Sequence, residues 1–180
     1  MIEIRSFLRD ETNELHRELD AIVGVFSSRS EYANFLQGTF RHRAPVEAAL
    51  LEAAEFSPWR PRKLLPELTA DLADLALPLP AADPFHLSND IAAQLGAAYV
   101  LEGSALGARV LVKGVENLGF GAAFGARYLS AQAGSLDQWR TVLVALEGLD
   151  RQVWDAAAQS ARSVFLHAIQ AFTSEELSPA

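Results

Sequence analysis

The chain carries four histidines, His16, His42, His86 and His167, and no cysteine. Without thiols there can be no disulfide, thiolate metal ligand, thiol nucleophile or cysteine-ligated heme. His16 stands out by position. At about 100° per residue on a helical wheel it lies at the edge of the Leu8/Leu15/Leu19 stripe, beside Thr12 and Val23. Arg9 sits seven residues earlier, two turns along roughly the same face. A neutral imidazole binds a metal ion and a guanidinium binds a carboxylate. That is the pairing a heme would need, one group for iron and one for a propionate. The same position suits a boundary histidine that hydrogen-bonds to solvent or a neighbour.

A second feature lies in Leu101-Glu102-Gly103-Ser104-Ala105-Leu106-Gly107-Ala108-Arg109. Two glycines inside a helix cost about 1 kcal/mol each relative to alanine. The spacing groups Gly103, Gly107 and Ala108 on one nearly bare face, with Ser104 adjoining. A flat ligand or another helix could approach such a face closely. Other patterns fail their context tests. Gly119-Phe120-Gly121 lacks the preceding strand of a dinucleotide loop. The residues three before the histidines are Asn13, Thr39, Asp83 and Val164, so the Glu-x-x-His pairs of a diiron bundle are missing. Arg41-His42-Arg43 reads as a solvated helix face, His86 as incidental, and His167 as a residue at the edge of the core.

The elements that must position these groups are helical. Ile4, Phe7, Leu8, Leu15, Leu19 and Ile22 form one amphipathic stripe. Ser28 to Glu31 reads as a capping box opening a second helix, which Pro45 should kink or restart. Pro58, Pro61 and Pro66 mark a connector over 56–66, with Pro66 in the first turn of a short helix through Leu68 and Leu72. Pro78, Pro80 and Pro84 make a second connector. Ser88 is the expected N-cap of a long helix that Gly114 and Gly119-Phe120-Gly121 should stop. A short helix is expected around Phe124 to Leu129, then one opened by a Ser135–Gln138 capping box, then a last one from Trp154 to Phe172. No alternation of apolar and polar residues is long enough for a strand. The expected fold is all-α, one domain over 1–180, with seven or eight helices and a flexible tail in the last few residues.

At 180 residues one sizeable core is expected. The 15 basic and 23 acidic residues leave a net charge of −8, which disfavours nucleic acid as the main partner. The N-terminus lacks the layout of a signal peptide. Glu102 and Arg109 interrupt the best membrane-spanning candidate. A soluble cytoplasmic protein with no membrane partner is the expectation.

Leu8 to His16 resembles the first helix of the biliverdin-producing heme oxygenases, whose iron ligand is a histidine at the place of His16. Leu95 to Ala108, with its Glu-Gly-Ser-x-Leu-Gly-Ala segment, resembles the distal helix of the bacterial branch, including forms found beside bacterial phytochromes. Phe124 to Leu129 and Val164 to Phe172 are similar to later parts of the same family. The resemblance implies heme clamped between the first helix and the glycine-containing one, with His16 as proximal iron ligand. Gly103, Ser104 and Gly107 would then form the distal, catalytic face. Arg9, Tyr99, Ala108, Arg140 and Phe165 would contact heme or its propionates. It also implies O₂, an electron-donating reductase of ferredoxin or flavin type, a bilin-accepting phytochrome as a further partner, and the products biliverdin, CO and ferrous iron. Ser104 replaces the aspartate that many members carry, and Ala108 replaces a second glycine. A non-catalytic heme carrier or gas sensor would keep the same ligand and cleft. A metal or small-molecule site without heme, or a partner-binding helical module, are further alternatives.

Overall fold

A computed structural model describes residues 3–53 and 59–174. Seven α-helices occur among them: α1 (Ile4–Val23), α2 (Arg29–Ala53), α3 (Leu65–Asp74), α4 (Ile91–Asn117), α5 (Arg127–Ala133), α6 (Leu136–Glu147) and α7 (Trp154–Thr173). One 3₁₀ turn, Arg151–Val153, precedes α7. No strand forms among the described residues; only isolated bridges between Gly121 and Phe124 or Gly125 occur. The expected C-terminal tail and part of the first proline connector lie outside the described residues.

The core has two parts strung along α4. Ile4, Leu8, Val46, Leu95, Leu101, Val142, Leu146, Val164 and Phe165 belong to one. Tyr32, Phe35, Leu36, Leu68, Leu72, Val115 and Leu129 belong to the other. α7 packs on α1, α2 and α4, and is the common support of the bundle. The α4–α7 crossing is so close that a Cβ on Gly96 would sit 2.0 Å from the Ala157 carbonyl oxygen. Small residues on both helices, Ala97, Ala157 and Ala161, are fully buried there, and side-chain volume would force the helices apart. α4 is long and apolar enough to cross a membrane by composition alone, yet half of its most apolar window is buried inside the protein.

Local chemistry explains most element ends. The Ser28 hydroxyl accepts from the Glu31 N–H at 3.2 Å, and the Glu31 carboxylate accepts from the Ser28 N–H at 3.1 Å, which is the expected capping box. Other ends differ from expectation. α2 runs unbroken through Pro45, because packing of its flanks outweighs one missing ladder bond. Asp90 rather than Ser88 caps α4, accepting from Ala93 N–H at 3.0 Å, while the Ser88 hydroxyl accepts from Asp90 N–H. α4 passes Gly114 and stops at Gly119, whose φ of 87° suits only glycine. α5 starts three residues later than expected, since Gly125 turns at φ 75° and the Asp71 carboxylate of α3 caps the Arg127 and Tyr128 N–H groups. Ser135 precedes α6 but forms no capping box; its hydroxyl donates to the Ala131 carbonyl and accepts from Arg62.

Candidate functional site

α1 and α4 both lie on α7 and scarcely touch one another. They meet at two ends. At one, the Tyr99 phenol is held up by burial and pulled down by the nearby Arg5 and Arg9 guanidinium groups. At the other, a Cβ on Gly114 would meet Phe26, just past the end of α1, at 3.7 Å. The two helices therefore run in the same direction across a gap. Seven residues on from Arg9 is His16, and seven or eight on from Tyr99 are Leu106 and Gly107. A rise of about 1.5 Å per residue puts these at the same level.

Across this gap the two walls differ. On α1 the His16 side chain is 59% exposed, and its Nδ1 lies 3.3 Å from the Asp20 carboxylate one turn on. Its ring meets Phe165 of α7 edge-on, with centroids 5.7 Å apart. Nδ1 is thus engaged and Nε2 is left for a ligand. On α4 a Cβ at Gly107 would meet nothing within 4 Å, and one at Gly103 would meet only the Trp139 ring, at 3.3 Å. Leu106 and Val110 beside them are 50% and 68% exposed. An imidazole on one helix, bare backbone and uncovered apolar side chains on the other, and guanidinium groups near Tyr99 suit a flat apolar ligand bearing carboxylates and a metal.

The structure sets His16 against Phe165 and Arg9 near Tyr99, and on α4 it leaves Gly107 open and Gly103 bare but for Trp139, with Ser104 beside them. Two residues stand elsewhere. Ala108 is buried in the second core cluster, because one residue past Gly107 the helix has turned it inward, away from the bare face. Arg140 pairs with Asp137 at 2.9 Å and lines an open cavity of about 520 Å³ with Arg109 and Leu136, to which α1 contributes nothing.

Behind Ser104 lies a polar cluster that sequence reasoning missed. Arg43 is not a solvated residue; it is wholly buried. Its Nε donates to Glu47 at 2.7 Å, and its Nη1 to the Tyr128 hydroxyl and the Gln132 carbonyl oxygen, each at 3.3 Å. Glu47 also accepts from the Leu64 and Leu65 N–H groups, tying α2 to the start of α3. Glu102 is buried alongside. Burial pushes its carboxyl above the usual range while the Arg43 charge pulls the other way. The four-residue spacing of Arg43 and Glu47 was the available signal, but exposed pairs show the same spacing. No cluster of three or more metal-ligating side chains occurs among the described residues.

His42, read as solvated, is half-buried against His167, with Nδ1 atoms 3.2 Å apart. The His167 Nε2 faces the Asp83 carbonyl oxygen at 3.1 Å, so His167 donates there and accepts from His42. Burial first, then the His167 and Arg43 charges, lower the His42 pKa to about 3. Below the unfolded value of 6.5 the unfolded chain takes up a proton that the folded chain refuses until about pH 3. Stability should therefore fall with pH across that window, by up to about 1.4 kcal/mol per pH unit. Urea midpoints at pH 7 and 5 should converge in His42→Gln.

No protein-family model matches the chain. Heme oxygenase PigA of Pseudomonas aeruginosa is 34% identical over 148 residues, covering 77% of this chain and 75% of that protein. A heme oxygenase of Xanthomonas campestris is 33% identical over 144 residues, covering 76% and 85%. The fold superposes on the NO- and CO-bound heme oxygenase of Neisseria meningitidis with a TM-score of 0.76, over 99% of this chain and 96% of that one, at 24% identity. By sequence likeness over three quarters of its length, and by a fold that matches throughout, the chain belongs to the heme oxygenase family.

Proposed function

We propose that the protein cleaves heme, held in the α1–α4 gap with His16 Nε2 on the iron, to biliverdin, CO and ferrous iron. What supports this reading is an exposed His16 on α1 whose Nδ1 is engaged by Asp20, together with Gly107 on α4, where a Cβ would meet nothing within 4 Å. Heme supplies the iron that activates O₂ and the ring that is opened, so it is cofactor and substrate together. The chain's own groups do the rest. Asp20 orients His16 and fixes which ring nitrogen is left for iron, and Phe165 backs the imidazole. Gly103 and Gly107 admit the macrocycle close to the α4 backbone. Arg9 and Tyr99 would meet propionates at the end of the gap and so fix the rotation of the ring, hence the carbon attacked. Leu106 and Val110 would lose their exposure to the bound macrocycle and exclude water. One domain over 1–180, an electron-donating reductase of ferredoxin or flavin type, a bilin-accepting phytochrome and a cytoplasmic location complete the proposal.

The test is an absorbance time course of the heme-loaded protein in air after an electron donor is added, with catalase present to remove free peroxide. The expected result is decay of the heme band with growth of a red-absorbing bilin band. A reduced heme band that persists would favour the carrier or sensor reading instead.

A further inference from the structure

Ser104 sits between two committed partners. Its hydroxyl donates to the Leu101 carbonyl at 2.7 Å, and it accepts from the Gln132 side-chain amide at 2.8 Å. The same Gln132 nitrogen donates to the Leu101 carbonyl at 3.1 Å, and the Gln132 oxygen accepts from Arg43. Reversing the amide would aim its oxygen at the Leu101 oxygen and its NH₂ at a guanidinium that has only donors. Both ends of Gln132 therefore dictate one orientation. With an amide N–H on one lone pair and its own hydrogen on Leu101, the Ser104 oxygen keeps a single free lone pair.

We propose that Gln132, locked by Arg43, is a positioning residue that makes Ser104 a hydrogen-bond acceptor, and not a donor, toward a ligand on the Gly103–Gly107 face. This rests on the reading of that face as the distal side of bound heme. Such a serine favours a ligand that carries a hydrogen over one that offers only a lone pair. Gln132 is buried on α5, 28 residues beyond Ser104, where no motif spacing would connect the two. Its amide gives this chain control over the polarity of Ser104 that an aspartate at the same place would not need.

The C–O stretching band of CO bound to the reduced, heme-loaded protein tests this, because a donor near the CO oxygen lowers that frequency and an acceptor raises it. Gln132→Met frees the hydroxyl to turn outward, and the band should move to lower wavenumber. Gln132→Asn, one methylene too short to join Arg43 to Ser104, should move it the same way and serves if the methionine variant does not fold. Ser104→Ala should also move the band, and adding Gln132→Met to it should change nothing further. If Ser104→Ala shifts the band but neither Gln132 variant does, the proposal fails and the heme reading stands. A Gln132 effect that survives in the Ser104→Ala background overturns it equally. If Ser104→Ala leaves the band unmoved, the placement of this face against the ligand fails, and the proposal with it.

Discussion

The His16→Ala variant is expected to take up heme without the imidazole-ligand spectrum and to lose most of its turnover. His16 is the one histidine at the α1–α4 gap; His42 and His167 face one another on α2 and α7, and His86 lies in the connector before α4. Removing Asp20, which only orients the ring, should cost about 10–100-fold in affinity or activity, as is usual for a group that supports a metal ligand. Removing His16 itself should cost more than that. The structural cost should be small, since the side chain is exposed and helix-compatible alanine replaces it. Absorbance of the ferric form, single-turnover decay and a thermal melt of the apoprotein check all three statements. A variant with full turnover and an unchanged spectrum would remove His16 from the iron.

The largest effect on stability is expected for Glu47→Leu. It leaves the Arg43 guanidinium wholly buried with only the Glu102 carboxyl nearby, which burial holds above the usual range, and strips two main-chain N–H groups of their acceptor. Breaking a buried pair from one side costs about 3–5 kcal/mol, chiefly the penalty of an uncompensated buried charge. In a chain of this size that lowers the melting temperature by on the order of 10 °C. The double variant Arg43→Met, Glu47→Leu removes both charges and should recover much of the loss. Urea unfolding of the wild type, the single and the double variant measures this. A single variant within about 1 kcal/mol of wild type would mean that water reaches Arg43 and screens it.

The helices were legible because their signals are local or carried by motifs. The stripe from Ile4 to Ile22, the prolines at 61, 66, 78, 80 and 84, and the Gly103/Gly107 pair each report their own surroundings. Helix ends were less legible where a distant group decides them. Asp71, on α3, caps the start of α5 from 56 residues away, and no window around Phe124 contains that fact. The burial of Arg43 is the clearest instance. In sequence it sits in a basic triplet, and only the arrival of Tyr128 and Gln132 from α5 turns it into the centre of the bundle. Ala108 shows a different limit: on the wheel it adjoins Gly107, but the face that stays open is narrower than the run of small residues suggests.

The sparse contact between α1 and α4 has a thermodynamic consequence. Under the proposed function, heme lying between them would contribute apolar contacts that the chain lacks there and so act as a removable part of the core. Folding and binding are then linked: at a free heme concentration a hundred times its dissociation constant the folded state gains about 2.7 kcal/mol. Ring opening destroys the flat disc that bridged the helices, and with it the stability it lent. Under the proposed function, each turnover would therefore remove part of the packing that holds α1 in place.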